Sequence, residues 1–374
     1  MTGSGFLGYT PDMVSDTTGP IRVVVVGAGS MGSSHARAYH TSPGFTLIGL
    51  VAPSARRRGP LAAELGVGEF DTLDAALETT APDAVCIASY PDTHFAYAKR
   101  AIEFGAHVFV EKPLAQTVRE AEEIAALAVS RGLKAVVGYI LRVHPAWKEF
   151  IRIARTLGKP LVMRMNLNQQ SDGASWETHK SLMKSMSPIV DCGVHYVDVM
   201  CQMTRSRPVR VQAIGARLTD EIASDMYNYG NLHVVFEDGS AGWYEAGWGP
   251  MMSETAFFVK DVVGPGGSVS IVDPSDGGAA ARATASADID AHTKTNALLV
   301  HRVAAHGREK GDKLIDMSDE PGHQELCDRE QAFFLDAIRG DADLSDHLAD
   351  AVNSLRIVLA ADESVRTGKV VSLA

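Results

Sequence analysis

The stretch VVVVGAGSMG, Val23 to Gly32, runs four β-branched residues into a Gly27-x-Gly29-x-x-Gly32 spacing and then into the helix-forming segment SSHARAYHTS. A short, wholly apolar run of this kind reads as a strand buried on both faces. Glycines at this spacing between strand and helix form a dinucleotide-binding turn. The first permits the tight bend, the second lets a pyrophosphate approach the backbone, and the third lets helix and strand pack closely. Ser30 and Met31 lie between the second and third glycines, at the helix N-terminus where phosphate binds. They join Gly27, Gly29 and Gly32 as cofactor-binding candidates.

The pattern around this turn repeats. FTLIGLVA (45–52), DAVCIAS (83–89), HVFVEKP (107–113) and KAVVGY (134–139) read as strands, and helical segments separate them. The helices are SARRRGPLAAELG (54–66), HFAYAKRAIEFG (94–105) and the amphipathic TVREAEEIAALAVSRG (117–132), which ends on Gly132. Strands alternating with helices predict an α/β, doubly wound parallel sheet, an N-terminal Rossmann domain over residues 21–138. After Tyr139 the rhythm changes. Helix 145–158 leads to strand-like runs at LVMRMNLNQ, VRVQAIGARL, NYGNLHVVFEDGSAGWYEAGW, TAFFVKDVVGPGGSVSIV and KLIDM. Glu237-Asp238-Gly239 and Gly264-Pro265-Gly266-Gly267 are hairpin signals. Residues 139–374 therefore read as a C-terminal α+β domain with a large, mostly antiparallel open sheet. Two helices close the chain, and residues 273–292, poor in bulky side chains, read as a surface loop.

An NAD-preferring fold carries an acidic residue at the end of its second strand to bind the ribose hydroxyls. Here that place falls near Ala52, which accepts no such bond. Ser54 and the arginines that follow, Arg56 and Arg57 foremost, suit a 2′-phosphate, so NADP is favoured over NAD. The competing reading makes the Arg56-Arg57-Arg58 cluster a solvated helix start.

At 374 residues the chain exceeds one ordinary core, and its 45% hydrophobic and 22% charged residues are those of a soluble globular protein. A net charge of −11 argues against a nucleic-acid partner. Four cysteines without a CxxC pair argue for a reducing compartment and against a cysteine zinc site. Residues 1–20 have neither the basic nor the apolar region of a secretory signal and read as a loose arm. No apolar run approaches the roughly 18 residues of a membrane span. The expectation is a cytoplasmic protein without a membrane partner.

One segment resists a purely structural reading. SPIVDCGVHYVDVM (187–200) puts Asp191, His195 and Asp198 within two helical turns, among residues suited to a core. Asp191 and His195, four apart, share a helix face. Three readings are open: a carboxylate orienting an imidazole general base, a metal site, or a capped helix with an inert histidine.

From about residue 21 to the C-terminus the chain resembles the Gfo/Idh/MocA oxidoreductase family, typified by glucose-fructose oxidoreductase and inositol dehydrogenase. The resemblance rests on the glycine loop, on YPDTHFAYAKRAIEFGAHVFVEKPLA (90–115), on GYILRVHP, on DCGVHYVD and on the late FEDGS hairpin. It implies that Lys112 of the Glu111-Lys112-Pro113 motif meets Asp191 and His195 at the nicotinamide ring, with a cis Lys112–Pro113 bond. Glu111, Pro91 and His94 are implied near the cofactor, although a helix-starting His94 also reads as structural. Tyr139, Arg142, Trp176 and His179, with Lys180 beside them, are implied around the substrate. Ile140-Leu141 stand where polar residues are common in the family. Asp198 either contacts substrate or caps the site.

The implied activity is NAD(P)-dependent hydride transfer to or from a secondary alcohol or ketone of a sugar, sugar derivative or cyclitol. His195 is the expected acid/base of near-neutral pKa, Asp191 its orienting group and Lys112 the stabiliser of the alkoxide. No metal is expected, because an ammonium beside Asp191 and His195 competes with a cation. A redox-assisted glycosidase or lyase with retained cofactor, or a non-catalytic dinucleotide-binding regulator, are the alternatives. A homodimer or homotetramer formed through the C-terminal sheet is the expected assembly.

Overall fold

The structure is a computed structural model that describes residues 19–253, 255–257, 259–274, 281–283, 294–303 and 311–373, with 255–257 and 281–283 described in backbone alone. The arm expected over 1–20 lies outside the described residues except Gly19 and Pro20, as does most of the loop expected over 273–292.

The first sheet holds β1 (Ile21–Val26), β2 (Phe45–Val51), β3 (Gly68–Phe70), β4 (Ala84–Ile87), β5 (His107–Glu111) and β6 (Ala135–Gly138), all parallel in the order β3-β2-β1-β4-β5-β6. The helices between them are α1 (Ser30–Thr41), α2 (Ala55–Leu65), α3 (Leu73–Thr80), α4 (His94–Phe104) and α5 (Val118–Ser130). Val23 to Val26 are fully or almost fully buried, as a strand covered on both faces must be. A capping box between Thr117 and Glu120 opens α5, and Gly132 takes φ +64 just past its end. Neither β3 nor α3 was expected from the sequence. With three residues, β3 is too short to show a period. The strand order reverses between β1 and β4, so a crevice forms at their carboxyl ends.

After α6 (Pro145–Ala154) comes β7 (Val162–Gln170), the first strand of the second sheet. Three helices then precede the next strand: α7 (Gly173–Leu182), α8 (Pro188–Asp191) and α9 (Gly193–Thr204). The remaining strands of the sheet are β8 (Pro208–Ala216), β9 (Tyr229–Phe236), β10 (Ala241–Gly249), β12 (Lys260–Gly264), β13 (Gly267–Val272), β15 (Ala297–Arg302), β16 (Gly311–Asp316) and β17 (Val371–Ser372). The nine strands run β16-β15-β13-β12-β7-β10-β9-β8-β17, antiparallel except for the β7–β10 pair. A separate pair joins β11 (Thr255–Phe257) to β14 (Ala281–Ala283). The two predicted hairpins form, with Gly239 at φ +82 and Gly264 paired to Gly267.

One face of this sheet is core: Met163, Met165, Val211, Leu232, Val234, Tyr244 and Val262 point into it. The other face is open. In register across it lie Ile214, Asn231 and Glu245, then Gln212, His233, Trp243 and Arg164, then Val162 and Val263.

The chain finally returns to the first sheet. Helix α10 (His323–Arg339) packs on α1, and its Phe334, Ala337 and Ile338 share a core with Val23, Val25, Tyr39 and Phe109. Helix α11 (Ser345–Thr367) then spans both sheets, packing on β6 and α5 of one and on β8 and α9 of the other. These two helices brace the crevice in which the candidate residues gather.

Candidate active site

The glycine turn has the shape its spacing requires. Gly27 sits at φ +110, and a Cβ there would lie 2.2 Å from the Ala88 carbonyl oxygen. A Cβ on Gly32 would lie 2.1 Å from the Gly27 oxygen, so the close packing of helix on turn admits only glycine. Gly29 differs: nothing lies within 4 Å of its added Cβ, and as N-cap of α1 it offers no side-chain bond to the helix amides. Open space over free amide donors fits a dinucleotide pyrophosphate. Ser30 is exposed and Met31 half-buried at the same helix start.

At the end of β2, Ala52 is buried and Ser54 is the N-cap of α2, its hydroxyl making no cap bond. Arg56 and Arg57 are exposed. Arg58 is not available in the same way, since its Nη1 donates to the Ala52 carbonyl at 2.6 Å and the Pro53 carbonyl at 3.2 Å.

Across the crevice, Lys112 and Asp191 meet. Lys112 Nζ lies 2.8 Å from Asp191 Oδ1 and 3.2 Å from its carbonyl oxygen, with both side chains more than four-fifths buried. The Lys112–Pro113 bond is cis, as the resemblance implied. Burial alone would lower the Lys112 pKa, but the Asp191 charge and bond outweigh it and hold the ammonium above the ordinary lysine range. Burial likewise works to raise Asp191, and Lys112 reverses that, so its carboxyl stays below its ordinary value.

The orienting bond from Asp191 to His195 is not formed. The helix expected to carry both is interrupted at Cys192, where α8 gives way to α9 and the His195 amide donates to the Cys192 carbonyl at 3.2 Å. The four-residue spacing thus crosses a break, and Lys112 holds the carboxylate. Gly193 follows the break, with Tyr244 so close that a Cβ would lie 2.9 Å from its ring. His195 stands edge-on to Tyr139 at 5.8 Å, and among the described residues its buried Nδ1 has no hydrogen-bond partner. Burial first, then the Lys112 charge, pushes its imidazole down to about 3. This is well below the near-neutral value expected from its type, so His195 is neutral at physiological pH.

The other candidates divide. Tyr139 turns its hydroxyl to Ser354 Oγ on α11, at 2.8 Å. Arg142 is committed to two carboxylates: Nε and Nη2 reach Asp198 at 2.9 and 2.5 Å, and Nη2 reaches Asp350 at 2.9 Å. Asp198 is fully buried and bonded to Arg142 and Gln202. His94 is a strut: its Nδ1 lies 2.8 Å from the Pro113 carbonyl and its Nε2 3.1 Å from that of Ser89, tying together the ends of β4 and β5. Pro91 opens the short helix before it. Trp176 is buried under Lys180, whose Nζ lies 5.8 Å from the indole and pairs with Glu177 and Glu221.

His179 leads back to the centre. It stacks on Trp248 at 4.2 Å, the Trp248 indole donates to Gln169 Oε1 at 2.7 Å, and the Cys192 thiol lies 3.3 Å from that oxygen and 3.5 Å from Asp191 Oδ2. Gln169, Cys192 and Trp248 were not singled out from the sequence. Gln169 and Trp248 on strands, and Cys192 at the helix break, carry no local sign of a site.

Glu111 lies beneath Lys112. Burial would raise its carboxyl, but the His35 hydrogen bond and the nearby Lys112 charge outweigh it and hold it low. His35, Cys327 and Glu330 bring ligand-type atoms within 4.8 Å of one another, all buried. Both His35 ring nitrogens are already engaged, one by Glu111 and one by Gln331.

The model of the oxidoreductase family with an NAD-binding Rossmann fold matches residues 21–139, and that of the GFO/IDH/MocA C-terminal domain matches residues 148–268. The chain belongs to the Gfo/Idh/MocA oxidoreductase family. Among curated relatives of this Gfo/Idh/MocA protein, a UDP-N-acetylglucosamine 3-dehydrogenase of Acidithiobacillus ferrooxidans is 32% identical over 54% of the chain. The chain spans 60% of that relative's length. A scyllo-inositol 2-dehydrogenase (NAD(+)) of Bacillus subtilis is 28% identical over 67% of this chain and 73% of its own. In fold, a myo-inositol 2-dehydrogenase structure from Lactobacillus plantarum covers 95% of the chain and 100% of its own, with TM-score 0.75 and 20% identity. Among the described residues, no helix is long and apolar enough to cross a membrane.

Proposed function

We propose that this chain transfers hydride between the nicotinamide of NAD(P) and a secondary alcohol or ketone of a sugar, sugar derivative or cyclitol. The observation that carries the reading is the buried Lys112–Asp191 pair beside a neutral His195, at the carboxyl end of the sheet that bears the glycine turn. The relatives that act on inositols and on a nucleotide sugar support the substrate class. The dinucleotide, when bound, supplies the hydride acceptor or donor at nicotinamide C4. Oxidising an alcohol also requires a proton to leave oxygen. Neutral His195 is in the form that accepts it, and the Lys112 ammonium stabilises the alkoxide. An imidazole this acidic is a weak base, so the larger share of the work falls to Lys112, which lowers the alcohol's own pKa. Asp191 sets the place and charge of Lys112 instead of orienting the imidazole.

Ser54, Arg56 and Arg57 support NADP as the preferred form, because two exposed guanidinium groups sit at a helix start whose first turn carries no acidic residue, and the nearby Glu69 is paired with Arg58. The open face of the second sheet supports self-association. Ile214, Val162 and Val263 are exposed on it beside half-buried Trp243, and pairing of two such faces would cover them. Light scattering of wild type and Ile214→Glu tests that pairing.

The test of function is titration with NADPH and NADH followed by a screen of inositols and sugars, including nucleotide sugars, reading reduced nicotinamide by its absorbance. Turnover establishes the reading. Product formed from a glycoside with no net change in cofactor would replace it with the retained-cofactor glycosidase or lyase. Binding with no reaction would replace it with a regulator.

A further inference from the structure

A chain of buried polar side chains runs from the C-terminal helix to the turn that carries Lys112. Gln331 on α10 receives the Tyr39 hydroxyl on its Oε1 and donates from Nε2 to His35 Nδ1 at 2.9 Å. On the far side of the ring, His35 Nε2 lies 2.7 Å from Glu111 Oε1. Glu111 Oε2 accepts the Lys112 backbone N–H at 3.1 Å. His35 is fully buried, Gln331 is 1% exposed and Glu111 6%. With Tyr39 holding the amide oxygen, Gln331 presents a donor to Nδ1. Nδ1 is therefore the acceptor, and the ring's proton sits on Nε2, where Glu111 takes it.

This arrangement is costly for mere packing. A charged carboxylate out of water carries a desolvation penalty that apolar residues of similar size would avoid, and half-satisfied networks are worse than none. What the arrangement achieves is directional. Beyond His35, Glu111 bonds the amide of the residue whose ammonium crosses to Asp191. The order of contacts is Tyr39, Gln331, His35, Glu111, Lys112, Asp191, and it passes from α1 and α10 to the end of β5 and across to α8.

We propose that His35 and Gln331 are positioning residues for Lys112: they fix the Glu111 carboxylate, which holds the Lys112 amide so that Nζ is set against Asp191. The proposal rests on the assignment of Lys112 to hydride-transfer chemistry given above. It assigns to α10, whose Gln331 lies 296 residues from His35 in sequence, a part in the geometry of the site.

The test compares wild type with Gln331→Leu, His35→Ala and His35→Gln in the full chain. Two readouts are taken on each, kcat with the dinucleotide Kd beside it, and the pKa of Lys112 followed by NMR of the methylated amine. The expected result for Gln331→Leu and His35→Ala is a kcat lowered roughly 10- to 100-fold by misplacement of Lys112, with dinucleotide affinity unchanged. The Lys112 pKa falls with it, because the amine no longer sits against Asp191. His35→Gln, whose amide N–H can still reach Glu111, recovers part of both. Should His35→Ala not fold, Gln331→Leu and His35→Gln decide between themselves. A Gln331→Leu protein with kcat within about twofold of wild type and an unmoved Lys112 pKa overturns the proposal, as does equal loss in His35→Gln and His35→Ala. A wild type inert toward every polyol overturns the proposed function alone, and the Lys112 titration then decides the positioning role.

Discussion

Lys112 Nζ lies 2.8 Å from Asp191 Oδ1, and this contact, 79 residues apart in sequence, joins the end of β5 to the short helix α8 across the crevice between the sheets. It adds to the burial that already keeps the neighbouring His195 neutral. An ammonium kept protonated by Asp191 repels a proton from His195, whose own burial already disfavours one.

The pair separates stability from activity. Lys112→Met leaves a buried carboxylate without its partner, which costs about 3–5 kcal/mol for a fully buried pair and less here, where both side chains keep some solvent contact. Turnover falls by about 10²- to 10³-fold, the loss typical of removing an oxyanion-stabilising donor. In Lys112→Met/Asp191→Leu the lost Tm returns while the activity does not. If thermal unfolding and turnover recover together in the double variant, the pair is structural and Lys112 is not the alkoxide stabiliser.

His195→Ala lowers turnover by on the order of 10²- to 10⁴-fold, the range of a positioned acid-base group. The value belongs at the lower end, since an imidazole near 3 is a weak base. A loss below about tenfold sinks the assignment. The same depressed pKa sets the pH profile. Because His195 stays neutral on the acid side of its ordinary value, kcat/KM for alcohol oxidation holds down to about pH 5 without the acid limb near 6.5 that an unperturbed histidine would give. A limb at 6 to 7, lost in His195→Ala, would show that the charge reading of this site is wrong.

How much of this was legible in the sequence depends on the range of the signal. The β-branched runs and the Gly27-Gly29-Gly32 spacing are local, and they led to the right sheet, the right turn and the two hairpins. Strand β3, of three residues, and β15, beyond the loop, carry too little pattern to be read. The long-range polar contacts leave no local trace at all. His35 meets Glu111 across 76 residues and Gln331 across 296, and Arg142 meets Asp350 across 208. Family resemblance supplied Lys112, Asp191 and His195 as a set, but the helix break at Cys192, which gives Asp191 to Lys112, lies in backbone hydrogen bonding that the four-residue spacing conceals.

The arginines at α2 carry the cofactor prediction. Removing both in Arg56→Ala/Arg57→Ala weakens NADPH binding by roughly 10- to 100-fold, the effect of one or two charge-assisted bonds to phosphate, and leaves NADH binding nearly unchanged. Titration of each variant with both dinucleotides reads the ratio directly. An equal change in the two affinities would make the arginines a solvated helix start, and the chain would then be indifferent to the 2′-phosphate.

Glu330 offers a test of the buried cluster through stability alone. Both of its carboxylate oxygens are buried with no hydrogen-bond partner among the described residues, and burial together with the Glu111 charge raises its pKa well above the ordinary value. The folded state therefore holds this proton at a pH where the unfolded chain has released it. By linkage, stability is greatest below the unfolded glutamate pKa of about 4.3 and falls as pH rises toward the folded value. Glu330→Met removes the penalty while roughly keeping the volume, so it raises Tm, and by more at pH 8 than at pH 5. Buried histidines act in the opposite sense. His107 and His144, both lowered to about 4 chiefly by burial, contribute stability that is present above pH 6.5 and lost toward 4. Their contribution is the same in both proteins and cancels in the difference between variant and wild type. A Tm difference that is flat with pH would mean that Glu330 gains no proton on folding, and one that shrinks as pH rises would mean that its charge is stabilised by a partner.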